Sequence, residues 1–184
     1  SDEGRLDYDT IFETLKNGLE GKFSQERVLV LIPDHTRSIP LPMLFHIVAE
    51  ILDDVEQLDF MVALGTHPPL DEEQLMELVG LTYDERNGTY RHIGIYNHEW
   101  DNKDALLKIG KIKKKQIREW MGDLWHPSLD DSVNVRINRR IEDYDQMLIL
   151  SPVFPHEVVG FSGGAKYLFP GISGPGMINV THWM

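Results

Sequence analysis

Unbroken apolar runs and amphipathic stretches take turns along this chain. Residues 8–20 place Ile11, Phe12, Leu15 and Leu19 at helical spacing, with Gly21 positioned to end the helix. Val28 to Ile32 is wholly apolar and closed by Pro33, as expected of a strand buried on both faces of a parallel sheet. Pro40 and Pro42 suit a first helical turn, and Leu44, Ile47, Val48 and Ile51 continue that helix to Leu52. Leu58 to Leu64 reads as a second buried strand. Asp71 then caps a helix over 72–79 that turns Leu75, Leu78 and Val79 inward, and a short strand is expected from Tyr90 to Tyr96. Between 100 and 132 the pattern weakens and reads as a helical insertion plus loop. Val133 to Ile137 alternates like a strand, Arg139 to Tyr144 is a short helical connection, and Gln146 to Leu150 is another buried strand. This rhythm predicts a single α/β domain over residues 1–184. Its expected core is an open, mostly parallel, Rossmann-like sheet with helices on both faces and ligands gathered at the strand carboxyl ends.

Charge and composition narrow the partners. Thirty acidic against 18 basic side chains give a formal charge of -12, which argues against nucleic acid or an anionic membrane and favours a small molecule. The lysines at 111 and 113–115 read as a solvated helix face. With no cysteine, there is no disulfide framework and no thiolate metal site, so a transition metal would need the eight histidines, carboxylates or a ligand's own sulfur. No apolar run reaches the roughly 18 residues of a membrane span, and the amino end shows no signal-peptide pattern, so a cytoplasmic location is the default expectation. The chain starts without Met and stops two residues after His182, which reads as part of a longer protein.

Candidate chemistry collects at the predicted strand ends. Asp34 and Arg37 follow the first strand, His67 the second, and His156 the last, so all four are expected at one edge of the sheet. From His156 the chain runs through a glycine-rich turn carrying Ser162, Gly163 and Gly164 to Lys166, and on to His182. Glycines there allow positive φ and close approach to a ligand, and the serines add donors for an anionic group. Two imidazoles facing across a small substrate can remove and return protons near neutral pH. Arg37 can hold a carboxylate through its planar fork, and Asp34 can orient Arg37 or an imidazole. That set suits stereochemical inversion of a hydroxy acid, except that no side chain accepts a hydride, so a cofactor must do so. His46 and His92 read as packing or surface residues, while His35, His98 and His126 stay open.

Several segments together, Pro33-Asp-His-Thr-Arg37, Gly65-Thr-His67, Asn97-His98, Val135-Arg-Ile-Asn138, Pro155 to Lys166 and Phe169-Pro-Gly-Ile172, resemble the amino-terminal domain of the nickel-pincer lactate racemase family. The resemblance implies a two-domain enzyme acting on a 2-hydroxy acid, with a second, carboxy-terminal domain of the same chain as partner. Its cofactor would be a nickel-pincer nucleotide, a pyridinium mononucleotide whose two sulfur-bearing arms clasp nickel. By the same resemblance Lys166 binds that cofactor covalently, His182 ligates nickel, and His67 and His156 are the paired acid/base residues. Asp34 and Arg37 line the pocket, and hydride passes from the substrate carbon to the cofactor and back to the other face.

There are departures from the family pattern. Ala165 stands where many relatives carry Arg, and residues 111–132 look inserted. By itself the 184-residue chain is expected to be without cofactor and inactive. Two other readings stay open: a zinc hydrolase using His67, His156 and His182 with Asp34 as base, and a non-catalytic nucleotide-binding domain.

Overall fold

The computed structural model of the protein describes residues 4, 6–127, 131–156 and 160–183, without the side chains of residues 182 and 183. Helix α1 (Tyr8–Leu19) starts where the Asp7 carboxylate accepts from the Thr10 amide at 2.8 Å. Then come β1 (Arg27–Ile32), α2 (Leu41–Ile51), β2 (Gln57–Val62), α3 (Glu72–Val79), α4 (Tyr83–Asn87) and β3 (Gly94–Asn97). A second series follows: β4 (Leu106–Ile112), α5 (Lys114–Met121), β5 (Val133–Asn138), β6 (Gln146–Ile149), β7 (Pro155–His156), β8 (Gly160–Phe161) and α6 (Pro175–Trp183). Single 3-10 turns occupy Arg139–Asp143 and Gly164–Tyr167.

Strands β3-β2-β1-β6 form, in that order, one parallel sheet. The apolar run of β1 serves both faces of it. Val28, Val30 and Ile32, with Phe60 and Val62, meet α1, α2 and α3, whereas Leu29, Leu31 and Met61 meet Ile137, Tyr167 and Ile172. This is the expected α/β class with helices on both faces, the second face being covered by the two 3-10 turns and the end of β5. The first core is tightly built: Phe45 of α2 is wholly buried, with its ring centroid 4.6 Å from that of Phe60. Because β2 and β6 flank β1 on opposite sides, the chain changes direction of travel across the sheet at β1. The carboxyl ends there open a crevice.

Three expectations need correction. The strand expected from Tyr90 is only Gly94–Asn97, because the Arg86 guanidinium binds the carbonyls of Tyr90 and Ile93 at 3.2 and 2.9 Å and holds the chain in a turn. The stretch read as helix and loop contains a strand, β4, which pairs antiparallel with β5 in a separate two-stranded sheet. Residues 113–132 are therefore the connection of a hairpin, with α5 inside it. The region around Gly174, for which the sequence suggested no regular element, leads into α6, which buries Met177, Ile178 and Val180. Met177 and Val180 pack with Ile117 and Val133 in a third small core. Among the described residues no helix is long and apolar enough to cross a membrane.

Candidate active site

At the carboxyl ends of β1, β2 and β6 lies a cavity of about 150 Å³. Asp34 and Arg37 reach it from the turn after β1, Gly65, Thr66 and His67 from the turn after β2, and Pro152 from the segment after β6. Ser162, Gly163, Lys166 and Tyr167 close it from the glycine-rich side, and Ile178 of α6 joins them.

Asp34 is the electrostatic centre of the site. It is 5% exposed, and one carboxylate oxygen accepts from both the amide (3.1 Å) and the hydroxyl of Thr36. The other accepts from His67 Nδ1. Burial alone would push the Asp34 carboxyl up; the hydrogen bonds from the Thr36 side chain, His67 and the Thr36 amide outweigh it and hold the group below its ordinary value. An ionised Asp34 keeps the proton of a neutral His67 ring on Nδ1, which leaves Nε2 with its lone pair. The turn that presents His67 closes through His67 N–H to the Leu64 carbonyl at 2.9 Å and requires Gly65 at φ +58.

Arg37 follows in the same turn, its amide 3.3 Å from the Asp34 carbonyl. Among the described residues no carboxylate pairs with its guanidinium, so the cavity mouth carries a cation available to an anionic ligand. The expectation that Asp34 orients either Arg37 or an imidazole resolves in favour of His67.

The other predicted residues divide. Ser162, Gly163 and Lys166 line the cavity. Gly163 (φ +81) lies so close to the strand-end segment that a side chain would collide with the Pro152 carbonyl oxygen. The Ser162 hydroxyl meets the Phe154 amide at 3.0 Å, which fixes the turn. Gly164 is not in the lining; its amide donates to Ser151 Oγ at 3.3 Å. His156, half-buried on β7, is also outside the lining, so the structure brings Asp34, Arg37, His67 and Lys166 together without it. His182 falls in the last turn of α6 and its side chain lies outside the described residues. Among the described residues no three His, Asp or Glu side chains form a metal-binding group.

Sequence reasoning missed Tyr167 and Gly171. The first is 9% exposed, with its phenol pushed up to about 12, mainly by burial, while Arg37 lowers it and Asp34 raises it. Gly171 passes so close to Tyr167 that any side chain would strike the Tyr167 carbonyl, and its own carbonyl accepts from Gly65 N–H at 2.9 Å. The Phe169-Pro-Gly run was visible, but its partner across the cavity was not.

His98, left open by the sequence, is structural. It is 2% exposed; one nitrogen, Nε2, lies 3.0 Å from the Ser173 carbonyl and Nδ1 lies 3.0 Å from Asn138 Nδ2. It thus ties the end of β3 to the end of β5 and to the approach to α6.

The parallel α/β sheet thus carries an aspartate-oriented histidine, an arginine and a lysine around one cavity at its switch point, where folds of this class gather ligands. The chain matches the lactate racemase N-terminal domain family over residues 12–118 and 128–184, and it belongs to that family. It is 24% identical over 162 residues to the lactate racemase of Lactiplantibacillus plantarum, covering 86% of this chain and 32% of that protein. Among solved structures it is similar to a protein from Thermotoga maritima (TM-score 0.83, 27% identity, 97% of this chain and 41% of that one). It also shares the fold of the lactate racemase apoprotein from Thermoanaerobacterium thermosaccharolyticum (TM-score 0.67, 20% identity, 95% and 39%). The chain therefore spans about a third of the curated relative's length.

Proposed function

We propose that this domain, within a longer protein, racemises or epimerises a 2-hydroxy acid with the help of a nickel-pincer nucleotide. The observation that carries the reading is the placement of the Asp34–His67 pair, Arg37 and Lys166 around one cavity. Family membership and the similarity to a lactate racemase support it.

In this reading Arg37 receives the substrate carboxylate through its fork. His67 Nε2 takes the hydroxyl proton, and the buried Asp34 stabilises the imidazolium that results. His156 lies outside the cavity lining, and only the family resemblance makes it the second acid/base residue, for the opposite hand of substrate. The cavity residues suit the cofactor: Lys166 supplies an amine for covalent attachment in a wall that the glycines keep low, and a chain without cysteine leaves the sulfur ligands to the cofactor itself. Ser162, Gly163 and Gly164 would shape the turn around it, and His182 would ligate the nickel. When bound, the nickel-pincer nucleotide supplies the hydride acceptor that no side chain provides. Proton movement stays with His67 and His156.

The test is intact mass and metal analysis of the full-length protein made in cells that also express the cofactor's biosynthetic enzymes. A mass increment mapping to Lys166, with bound nickel and loss of both increment and racemisation in Lys166→Ala, is the expected result. An unmodified Lys166 under those conditions, or full activity in Lys166→Ala, would refute the proposal.

A further inference from the structure

We propose that Tyr167 is the neutral half of a carboxylate-binding pair, its hydroxyl donating to one oxygen of the carboxylate that the Arg37 fork holds. The inference rests on the 2-hydroxy acid reading of the cavity and adds to it a residue that sets which group is recognised.

The tyrosine is built as a rigid donor. Its ring is anchored in the core beneath the sheet, against Leu29, Leu31, Met61 and Ile172, yet the residue lines the cavity. The 3-10 turn Gly164–Tyr167 and the close passage of Gly171 over the Tyr167 carbonyl fix the backbone that carries it. Among the described residues its hydroxyl has no hydrogen-bond partner, and it is not one of the polar atoms shut off from solvent, so it is open to a ligand. A ligand oxygen in the cavity supplies that partner. The phenol keeps its proton throughout the physiological range, since burial pushes it up to about 12, so it donates to an anion and does not compete with it. Arg37 lowers the phenol and Asp34 raises it, and all three residues line the same cavity.

The two donors do different work. Arg37 is exposed at the mouth and supplies charge, whereas Tyr167 supplies direction from a ring that cannot swing. A substrate whose carboxylate is replaced by a hydroxymethyl group would meet the pair without an anion to bind.

The experiment titrates the full-length, cofactor-loaded protein calorimetrically with L-lactate, D-lactate and 2-hydroxybutyrate, with 1,2-propanediol as the carboxylate-free probe, in wild type and Tyr167→Phe. Phe retains the ring and its packing, and an unchanged melting temperature checks this. Loss of one hydrogen bond to a charged group predicts an about tenfold weaker Kd for the hydroxy acid, with no change for propanediol. In turnover the same loss is expected as an about tenfold higher KM with kcat within about threefold of wild type. Unchanged Kd and KM in Tyr167→Phe, with the wild type binding normally, would overturn the role of Tyr167 and leave the hydroxy-acid reading intact. So would a fall in kcat alone. Wild-type protein that binds none of the hydroxy acids better than propanediol would overturn both.

Discussion

Replacing Asp34 by Asn removes one charge and no volume, and its consequences follow from three hydrogen bonds. The carboxylate receives the Thr36 amide and hydroxyl on one oxygen and His67 Nδ1 on the other. An asparagine oxygen can keep the Thr36 pair, which turns its amide N–H toward His67. The ring must then accept at Nδ1 and hold its proton on Nε2, the opposite tautomer. A base with no lone pair at the reacting nitrogen loses its function, so kcat of the full-length loaded enzyme is expected to fall about 10²- to 10⁴-fold. The folding cost is far smaller. One charge-assisted bond to a histidine that is itself 47% exposed is lost, which amounts to about 1 kcal/mol. The assay pairs racemisation kinetics with urea unfolding, and nitrogen NMR of the His67 ring reads the tautomer directly. If Asp34→Asn inverted the tautomer yet kept kcat within about threefold of wild type, His67 would not be the base.

Two further outcomes are expected. His98 is buried and held below its ordinary value of 6.5, chiefly by burial. Below pH 6.5 the unfolded chain therefore gains a proton that the folded one refuses, so its contribution to stability is complete above that value and declines as pH drops through it. Urea midpoints should fall between about pH 7 and pH 5, and His98→Gln should flatten that slope; an equal slope in both proteins would contradict the assignment. Truncation of Phe45, wholly buried against Phe60, should cost about 3–5 kcal/mol in urea unfolding, and a loss below about 1 kcal/mol would mean that this core repacks.

What could be read from the sequence was what local chemistry alone determines. The β1 run was legible because both of its faces are buried, so every position from Val28 to Ile32 is apolar. Helix α3 was legible because Asp71 and Gln74 form a capping box and Gly80 ends it in the left-handed conformation. Strand β4 was hidden because Leu106-Leu-Lys-Ile-Gly-Lys-Ile112 breaks its alternation at a register shift between Lys108 and Gly110. Helix α6 was hidden for another reason: Gly176, Asn179, Val180 and Thr181 are poor helix formers, and burial against α5 and β5 stabilises what propensity does not. Pro175 at its first position was the available signal. In the site, strand-end arithmetic brought Asp34, Arg37 and His67 together. It did not separate His156 from the cavity, because the chain continues past the end of β6 into the β7–β8 hairpin before reaching it. Tyr167 escaped because a tyrosine in a core pattern gives no sign that the residue also lines a cavity.

The bond from Gly65 N–H to the Gly171 carbonyl joins the loop that carries His67 to the segment that follows Lys166. Both ends lack a side chain, Gly65 because of its φ and Gly171 because of its neighbour, so neither loop can be transplanted or lengthened without its counterpart. In the proposed reading substrate range would therefore depend on a coupled pair of loops, and a library that diversified one while holding the other fixed would disturb the bond that joins them. A productive search would vary residues 66 and 167–170 together, with the two glycines held constant.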